Sequence, residues 1–313
     1  SRRASGEALM RLAVQQRVAL VLPLLLQHGP CAPLLHRGAP APWPGPRPLS
    51  DRACIPAKMS GGASEPRTGL AIITGVGSPS GIGRGLAGAF LDGGWDVGGI
   101  DVLPQEEVDL RRESFQYARA DVSEPGEVSA AVEKILGNFR GRSISVVINN
   151  AGISDPALQG EGRQERMKSF KRFLDVNLFG AFVVTEACLP RLDPAGSSII
   201  HISSTRARMS EPHTEGYAAS KGGLCALAHA QAISLASSKV RVNAVLPGWI
   251  DTGGYPVSEA DASFHPAGRV GVPDDIAQIC LFLADATKSG FVTGQEFVVD
   301  GGVTKKMIYP ETE

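Results

Sequence analysis

Tyr217 and Lys221, the ends of Tyr217-Ala-Ala-Ser-Lys221, are four residues apart, so on a helix they lie on one face, one turn from each other. A phenol titrates near ~10 and is a weak acid–base catalyst at neutral pH. An ammonium beside it favours the phenolate and is expected to lower that value toward the range where proton transfer is useful. Ordinary surface helices also begin with such residues, so the pair acquires meaning only from the elements that position it.

The other chemically suggestive stretch is Gly75-Val-Gly77-Ser-Pro79-Ser-Gly81-Ile-Gly83. It stands between an apolar run, Leu70-Ala-Ile-Ile-Thr74, and a helical stretch whose Ile82, Leu86, Ala89 and Phe90 share a face. Glycines let a backbone approach a dinucleotide pyrophosphate, and the helix amino terminus supplies free N–H groups and the positive end of a dipole. Asp101 closes a second apolar run, 96–100, where its carboxylate is placed to accept hydrogen bonds from an adenosine ribose. A carboxylate there repels a 2′-phosphate, so NAD is favoured over NADP.

Farther along, short apolar runs alternate with helical stretches. Strands are expected to end near Asp121-Val122 and to span 145–149, 198–203, 240–245 and 296–299. Helices are expected over 127–136, 170–189, 217–236 and 274–284. This alternation predicts an α/β fold: a doubly wound parallel sheet in three αβα layers, forming one domain over 68–313. Residues 251–272 read as a Gly- and Pro-containing lid without clear periodicity.

The chain has 313 residues, 43% of them hydrophobic, and a net charge of −1. That is ample for a core, and with no basic run in its body the chain is not expected to bind nucleic acid. Five scattered cysteines without C-x-x-C spacing argue against a disulfide framework or zinc site and for a reducing compartment. Residues 1–58 differ from the rest. They carry a net charge of +6 and nine prolines, and their apolar run 18–26 is too short to span a bilayer. The expectation for 1–67 is a disordered or targeting extension: a transit leader, an artefact of a start upstream of Met59, or, less favoured, a secretory signal. The corresponding location is cytoplasmic, or an organelle if the leader is a transit peptide.

Together, Thr74-Gly75…Gly81-Ile-Gly83, Asp121-Val122, Asn149-Asn150-Ala151-Gly152, Asn177, Ser203-Ser204, Tyr217-x-x-x-Lys221 and Pro247-Gly248 resemble the short-chain dehydrogenase/reductase family over 70–303. Two departures stand out. Five residues (76–80), where the family usually has three, separate Thr74-Gly75 from Gly81-Ile-Gly83, and Ala207 followed by Arg208 stands where glycine is frequent.

The resemblance implies a catalytic set of Asn177, Ser204, Tyr217 and Lys221. Ser204 would hydrogen-bond the substrate oxygen, and Tyr217 would act as general acid in reduction and general base in oxidation. Lys221 would lower the tyrosine pKa and bind the nicotinamide ribose, and Asn177 would hold a water linking Lys221 to solvent. Cofactor contacts would come from Gly75, Gly81, Ile82, Gly83, Asp101, Asp121, Val122, Asn150, Ala151, Gly152, Tyr217, Lys221, Pro247, Gly248, Ile250 and Thr252. Asp121 would accept from the adenine amino group while Val122 packs beside it. No metal is implied, and the six histidines lack ligand spacing. Arg206, Arg208, His213, Trp249, Tyr255, Phe264 and His265 are candidate pocket residues, the two arginines being more simply read as solvated. The implied activity is NAD(H)-dependent interconversion of a secondary alcohol and a carbonyl compound. Its alternatives are an NADPH-dependent ketone or 3-oxoacyl-thioester reductase, toward which Arg84 points weakly, and a non-catalytic dinucleotide sensor. The family also implies a homodimer or homotetramer paired through its long helices.

Overall fold

In the computed structural model the described residues are 68–108, 110–154 and 162–307, all within the unit Ala63–Glu313. The expectations for residues 1–67 fall outside them. Seven strands form one sheet: β1 Leu70–Thr74, β2 Asp96–Asp101, β3 Phe115–Arg119, β4 Ile144–Asn149, β5 Ser197–Ile202, β6 Val240–Pro247 and β7 Glu296–Val299. All pairs are parallel, in the order β3-β2-β1-β4-β5-β6-β7. Strand order therefore reverses between β1 and β4, and the crevice at their carboxyl ends is where such sheets take ligands.

Parallel strands are covered on both faces, so they read as continuous apolar runs. In β1 all five residues are buried, and alternate side chains enter opposite layers. Leu70 and Ile72 join one cluster with Val128, Val132, Val184 and Ala228, while Ala71 and Ile73 join Leu86, Phe90, Ile276 and Leu283 in the other. The first layer is closed by α2 Pro125–Asn138, α4 Gly180–Cys188 and α5 Glu215–Ser234. The second is closed by α1 Ile82–Asp92 and α7 Pro273–Ala284. The three-layer αβα fold expected from the alternating pattern is present.

The expected helix over 170–189 is different in detail. It starts earlier, as α3 Arg163–Leu174, and passes through a π-helical turn, Asp175–Phe179, before α4. The start was hidden by a polar first stretch with no capping side chain, Gly162 standing at the N-cap. Such π turns interrupt helices frequently at functional sites, and this one carries Asn177. Within 251–272 the chain forms a short helix, α6 Glu259–Phe264, capped reciprocally by Ser258 and Asp261. A one-turn helix, α8 Ala286–Ser289, follows α7.

Candidate active site

Thr74 joins the two strands that flank the switch point. Its hydroxyl accepts from the backbone N–H groups of Asn150 and Ala151, both at 3.0 Å, while the Asn150 amide donates to the Thr74 carbonyl at 3.0 Å. The chain then turns at Gly75, whose φ of 77° is costly for any residue with a side chain. Gly83, inside the first turn of α1, packs against that bend so closely that a Cβ there would lie 2.0 Å from the Gly75 carbonyl oxygen. The helix amino terminus is thus held hard against the strand end, with no acidic residue in its first turn to compete with an anion.

The lengthened loop 76–80 is braced rather than loose. The Gly77 N–H donates to Asp101 Oδ2 at 2.7 Å. Arg84 donates from Nε to the Val76 carbonyl at 2.8 Å and from Nη2 to the Gly77 carbonyl at 2.9 Å. The two extra residues form a bulge tied down at both ends, and Ser80 reaches across to donate to the Thr252 carbonyl. Neither Arg84 nor the Ser80–Thr252 link could be assigned these partners by spacing, because both depend on the path of the bulge.

Asp101 uses its other carboxylate oxygen to accept from the Leu103 N–H at 3.1 Å. At the neighbouring strand end, Asp121 accepts from the Ser123 N–H and hydroxyl and from Arg172 Nη2 at 3.3 Å. Burial works against its charge, but the Ser123 hydrogen bonds and the Arg172 guanidinium prevail, holding the carboxyl below its usual range. Three of its acceptor positions are therefore filled by protein donors. Arg172, which no motif in the sequence singles out, lines the cleft here.

This cleft, about 700 Å³, is lined by all the residues assigned to the cofactor from the sequence: Gly75, Gly81, Ile82, Gly83, Asp101, Asp121, Val122, Asn150, Ala151, Gly152, Tyr217, Lys221, Pro247, Gly248, Ile250 and Thr252. Ser204 and Trp249 line it too. A glycine cradle without side chains, an exposed helix amino terminus and a carboxylate at the next strand end suit a dinucleotide.

At the other end of the cleft, Ser204 follows β5 in extended backbone, and its Oγ accepts from the Arg206 N–H at 3.1 Å. The Ser204 side chain lies beside the phenol of Tyr217, the third residue of α5, and acts to lower its pKa. Lys221, one turn later, is buried, with Nζ 5.6 Å from the Tyr217 ring centroid and donating to the Ile202 carbonyl at 2.8 Å. Burial brings its pKa down to about 8. Tyr217 departs from the sequence expectation: burial raises its pKa, and the opposing influences are the Ser204 hydrogen bond and the charge of Arg206. Phe173 packs edge-on against the Tyr217 ring at 6.1 Å, and the half-buried phenol also lines the cleft.

Asn177 is buried in the π-helical turn and does not line the cleft. Its Oδ1 accepts from the Ile153 N–H at 2.8 Å, and its Nδ2 donates to the Ile153 carbonyl at 3.0 Å and to Ser220 Oγ at 3.1 Å. Both amide hydrogens and one oxygen lone pair are thus used, tying the segment that follows Gly152 to Ser220 of α5. A single lone pair remains for the water that the resemblance assigned to it.

The candidate pocket residues divide. Trp249, Phe264 and His265 cluster, with ring centroids 6.1 Å and 5.7 Å from His265, and Nδ1 of the buried His265 donates to the Asp261 carbonyl. Arg206, two residues after Ser204, pairs with Glu211, whereas Arg208 turns outward to Glu296 at 2.7 Å. His213 lines a separate pocket with Arg163, Arg166 and Phe173, and Tyr255 projects into solvent.

Comparison with known proteins agrees with this geometry. Residues 75–304 match the family model described as enoyl-(acyl carrier protein) reductase. An oxidoreductase of Thermotoga maritima is 38% identical over 261 residues, covering 77% of this chain and 98% of that protein. The 3-oxoacyl-[acyl-carrier-protein] reductase of the same organism is 34% identical over 244 residues, covering 73% and 95%. Among solved structures, a gluconate 5-dehydrogenase from Burkholderia cenocepacia, in complex with NADP and tartrate, superposes with a TM-score of 0.67. It is 28% identical and covers 77% of this chain and 96% of its own.

Proposed function

This chain is an oxidoreductase of the short-chain dehydrogenase/reductase family, and from that premise we propose that it interconverts a secondary alcohol and a ketone or aldehyde, using NAD(H). The observation that carries this reading is the juxtaposition of Ser204, Tyr217 and Lys221 at one end of a cleft whose other end presents the glycine cradle and Asp101. A bound nicotinamide dinucleotide supplies the hydride acceptor or donor. Gly75, the first turn of α1 and Asp101 would hold its adenosine and phosphate groups, and Pro247, Gly248, Ile250 and Thr252 its other end.

Ser204 Oγ presents a hydroxyl to the substrate oxygen and to Tyr217. In reduction Tyr217 Oη gives its proton to that oxygen; in oxidation it takes the proton away. Its raised pKa keeps the phenol protonated at neutral pH, which suits the acid role directly. Lys221, anchored on the Ile202 carbonyl, keeps a positive charge one helical turn from the phenol. Asn177 fixes Ile153 and so the floor beside Gly152.

NAD is favoured because two backbone N–H groups hold the Asp101 carboxylate where a 2′-phosphate would lie, and Arg84 is committed to loop carbonyls. A second reading, an NADPH-dependent 3-oxoacyl-thioester reductase, draws on the Thermotoga maritima relative of that name. Titration with NADH and NADPH followed by fluorescence separates the two. Tighter NADH binding is expected, and tighter NADPH binding overturns the Asp101 argument. Turnover of an alcohol and ketone panel, read at the nicotinamide absorbance, then tests the reaction itself; cofactor binding without turnover of any member would favour the sensor reading.

The assembly we propose is a homodimer or homotetramer that covers the exposed Phe179 and Phe182 of α4 and its preceding turn together with α5. Light scattering of Phe179→Asp, expected as monomer against an oligomeric wild type, checks it.

A further inference from the structure

We propose that Arg172 is a cofactor residue whose guanidinium serves the face of the adenine base, at the end of the cleft remote from Tyr217. The inference rests on the dinucleotide reading and adds to it a residue that belongs neither to the glycine loop nor to a strand end. Arg172 stands in the last turn of α3, and Val176, four residues on in the π-helical turn, lines the cleft with it. From there the side chain crosses to the turn after β3. Nη2 donates to Asp121 Oδ2 at 3.3 Å and Nη1 to Ser123 Oγ at 3.5 Å.

That turn is itself pinned. The Asp121 N–H donates to Glu127 Oε2 at 2.9 Å, and a Cβ on Gly180 would lie 2.7 Å from Val122 Cγ2, so α4 packs directly on Val122. The guanidinium is thus tied to a fixed partner within the cleft wall. Its N–H bonds lie in its plane, so Asp121 and Ser123 take it by the edge and leave its faces uncovered. Paired at two nitrogens, the side chain is still 52% exposed. A flat, weakly hydrated cation offered in this way suits a nucleobase, which stacks on guanidinium planes. Edge recognition is meagre here by comparison. Asp121 Oδ1 takes both Ser123 donors and Oδ2 takes Arg172, which leaves one acceptor position for the amino group of the base. Among the described residues that line the cleft the other cation is Lys221, anchored on the Ile202 carbonyl beside the catalytic tyrosine.

The test measures affinity by fluorescence titration with three probes: NADH, deamino-NADH, in which hypoxanthine replaces adenine, and reduced nicotinamide mononucleotide, which has no base at this end. Arg172→Ala is expected to raise the Kd of NADH and of deamino-NADH alike by about five- to thirtyfold, the value of a partly desolvated cation–π contact. The mononucleotide should bind as it does to the wild type. Arg172→Lys, which keeps a charge for Asp121 but lacks the plane, should lose nearly as much as Arg172→Ala. A loss confined to NADH overturns the proposal, because it would show that Arg172 acts only by setting Asp121 toward the amino group. A Lys variant equal to the wild type overturns it too, leaving charge alone at work, and so does an equal loss for the mononucleotide, which would mean general damage to the cleft. Unchanged NADH affinity in Arg172→Ala refutes the role of Arg172 and leaves the dinucleotide reading standing. Failure of the wild type to bind NADH, NADPH or the mononucleotide refutes that reading and the role of Arg172 with it.

Discussion

Replacing Gly83 with alanine should damage both stability and dinucleotide binding, and the structure says by how much. The new Cβ would lie 2.0 Å from the Gly75 carbonyl oxygen and 2.6 Å from Asn150 Nδ2, where real Cβ contacts do not fall below 3.0 Å. The start of α1 and the Gly75 bend must therefore separate by at least 1.0 Å (3.0 − 2.0). Neither side yields easily. Gly75 is pinned by its N–H to the Ile100 carbonyl at 2.8 Å, and α1 is pinned by the buried Leu86 and Phe90. Forcing a well-packed contact of this kind apart costs about 3 kcal/mol, against which the helix gains about 1 kcal/mol from exchanging glycine for alanine. The net loss is about 2 kcal/mol, measurable as a lower urea midpoint. A displacement of ~1 Å at a positioning element costs on the order of a hundredfold in function, so NADH affinity should fall by a similar factor. Gly88→Ala, on the same helix with open space around the new Cβ, is the control. It should gain about 0.5–1 kcal/mol and bind NADH as before. If Gly83→Ala matches the wild type in both urea midpoint and NADH titration, the close-packing argument is wrong.

Tyr217→Phe removes the proton donor but keeps the ring that Phe173 packs against; turnover should fall by at least about a hundredfold with NADH affinity nearly unchanged, and retained turnover would refute the role of the hydroxyl. His201, fully buried between Asn149 and Gln231, has its pKa lowered to about 4 by burial, with the Lys221 charge pushing the same way. The unfolded chain therefore takes up this proton near ~6.5 and the folded chain only near 4, so stability is full above ~6.5 and falls by about 3 kcal/mol as pH drops through that window. Urea unfolding at pH 7 and 4.5 should show this loss in the wild type and a smaller one in His201→Leu; equal losses would sink the assignment. Lys221→Met should abolish turnover yet leave the protein as stable or up to about 2 kcal/mol more stable at pH 7. The relief of a buried ammonium, whose cost is present below about pH 8 and fades as pH rises toward 10.5, is there offset by an unpaired Ile202 carbonyl. A clear loss of stability in thermal or urea unfolding would contradict that balance.

The sheet could be read from the sequence because a parallel strand buries both faces and so appears as an uninterrupted apolar run, as β1 does; the half-buried edge strand β7 also has the limits its short run suggested. The cofactor cleft was legible for a related reason: its lining falls at strand ends, and each strand end follows from the strand. What the pattern could not show was anything set by loop path. The bulge at 76–80 turns Arg84 inward onto carbonyls and sends Ser80 across to Thr252, contacts with no fixed spacing. The π-helical turn is similarly invisible, since inserting one residue into a helix leaves no mark on composition, yet it aims Asn177 at Ile153. The tyrosine pKa was misjudged in direction because helical spacing predicts that Lys221 is near Tyr217 but says nothing of how far the surrounding fold desolvates the phenol.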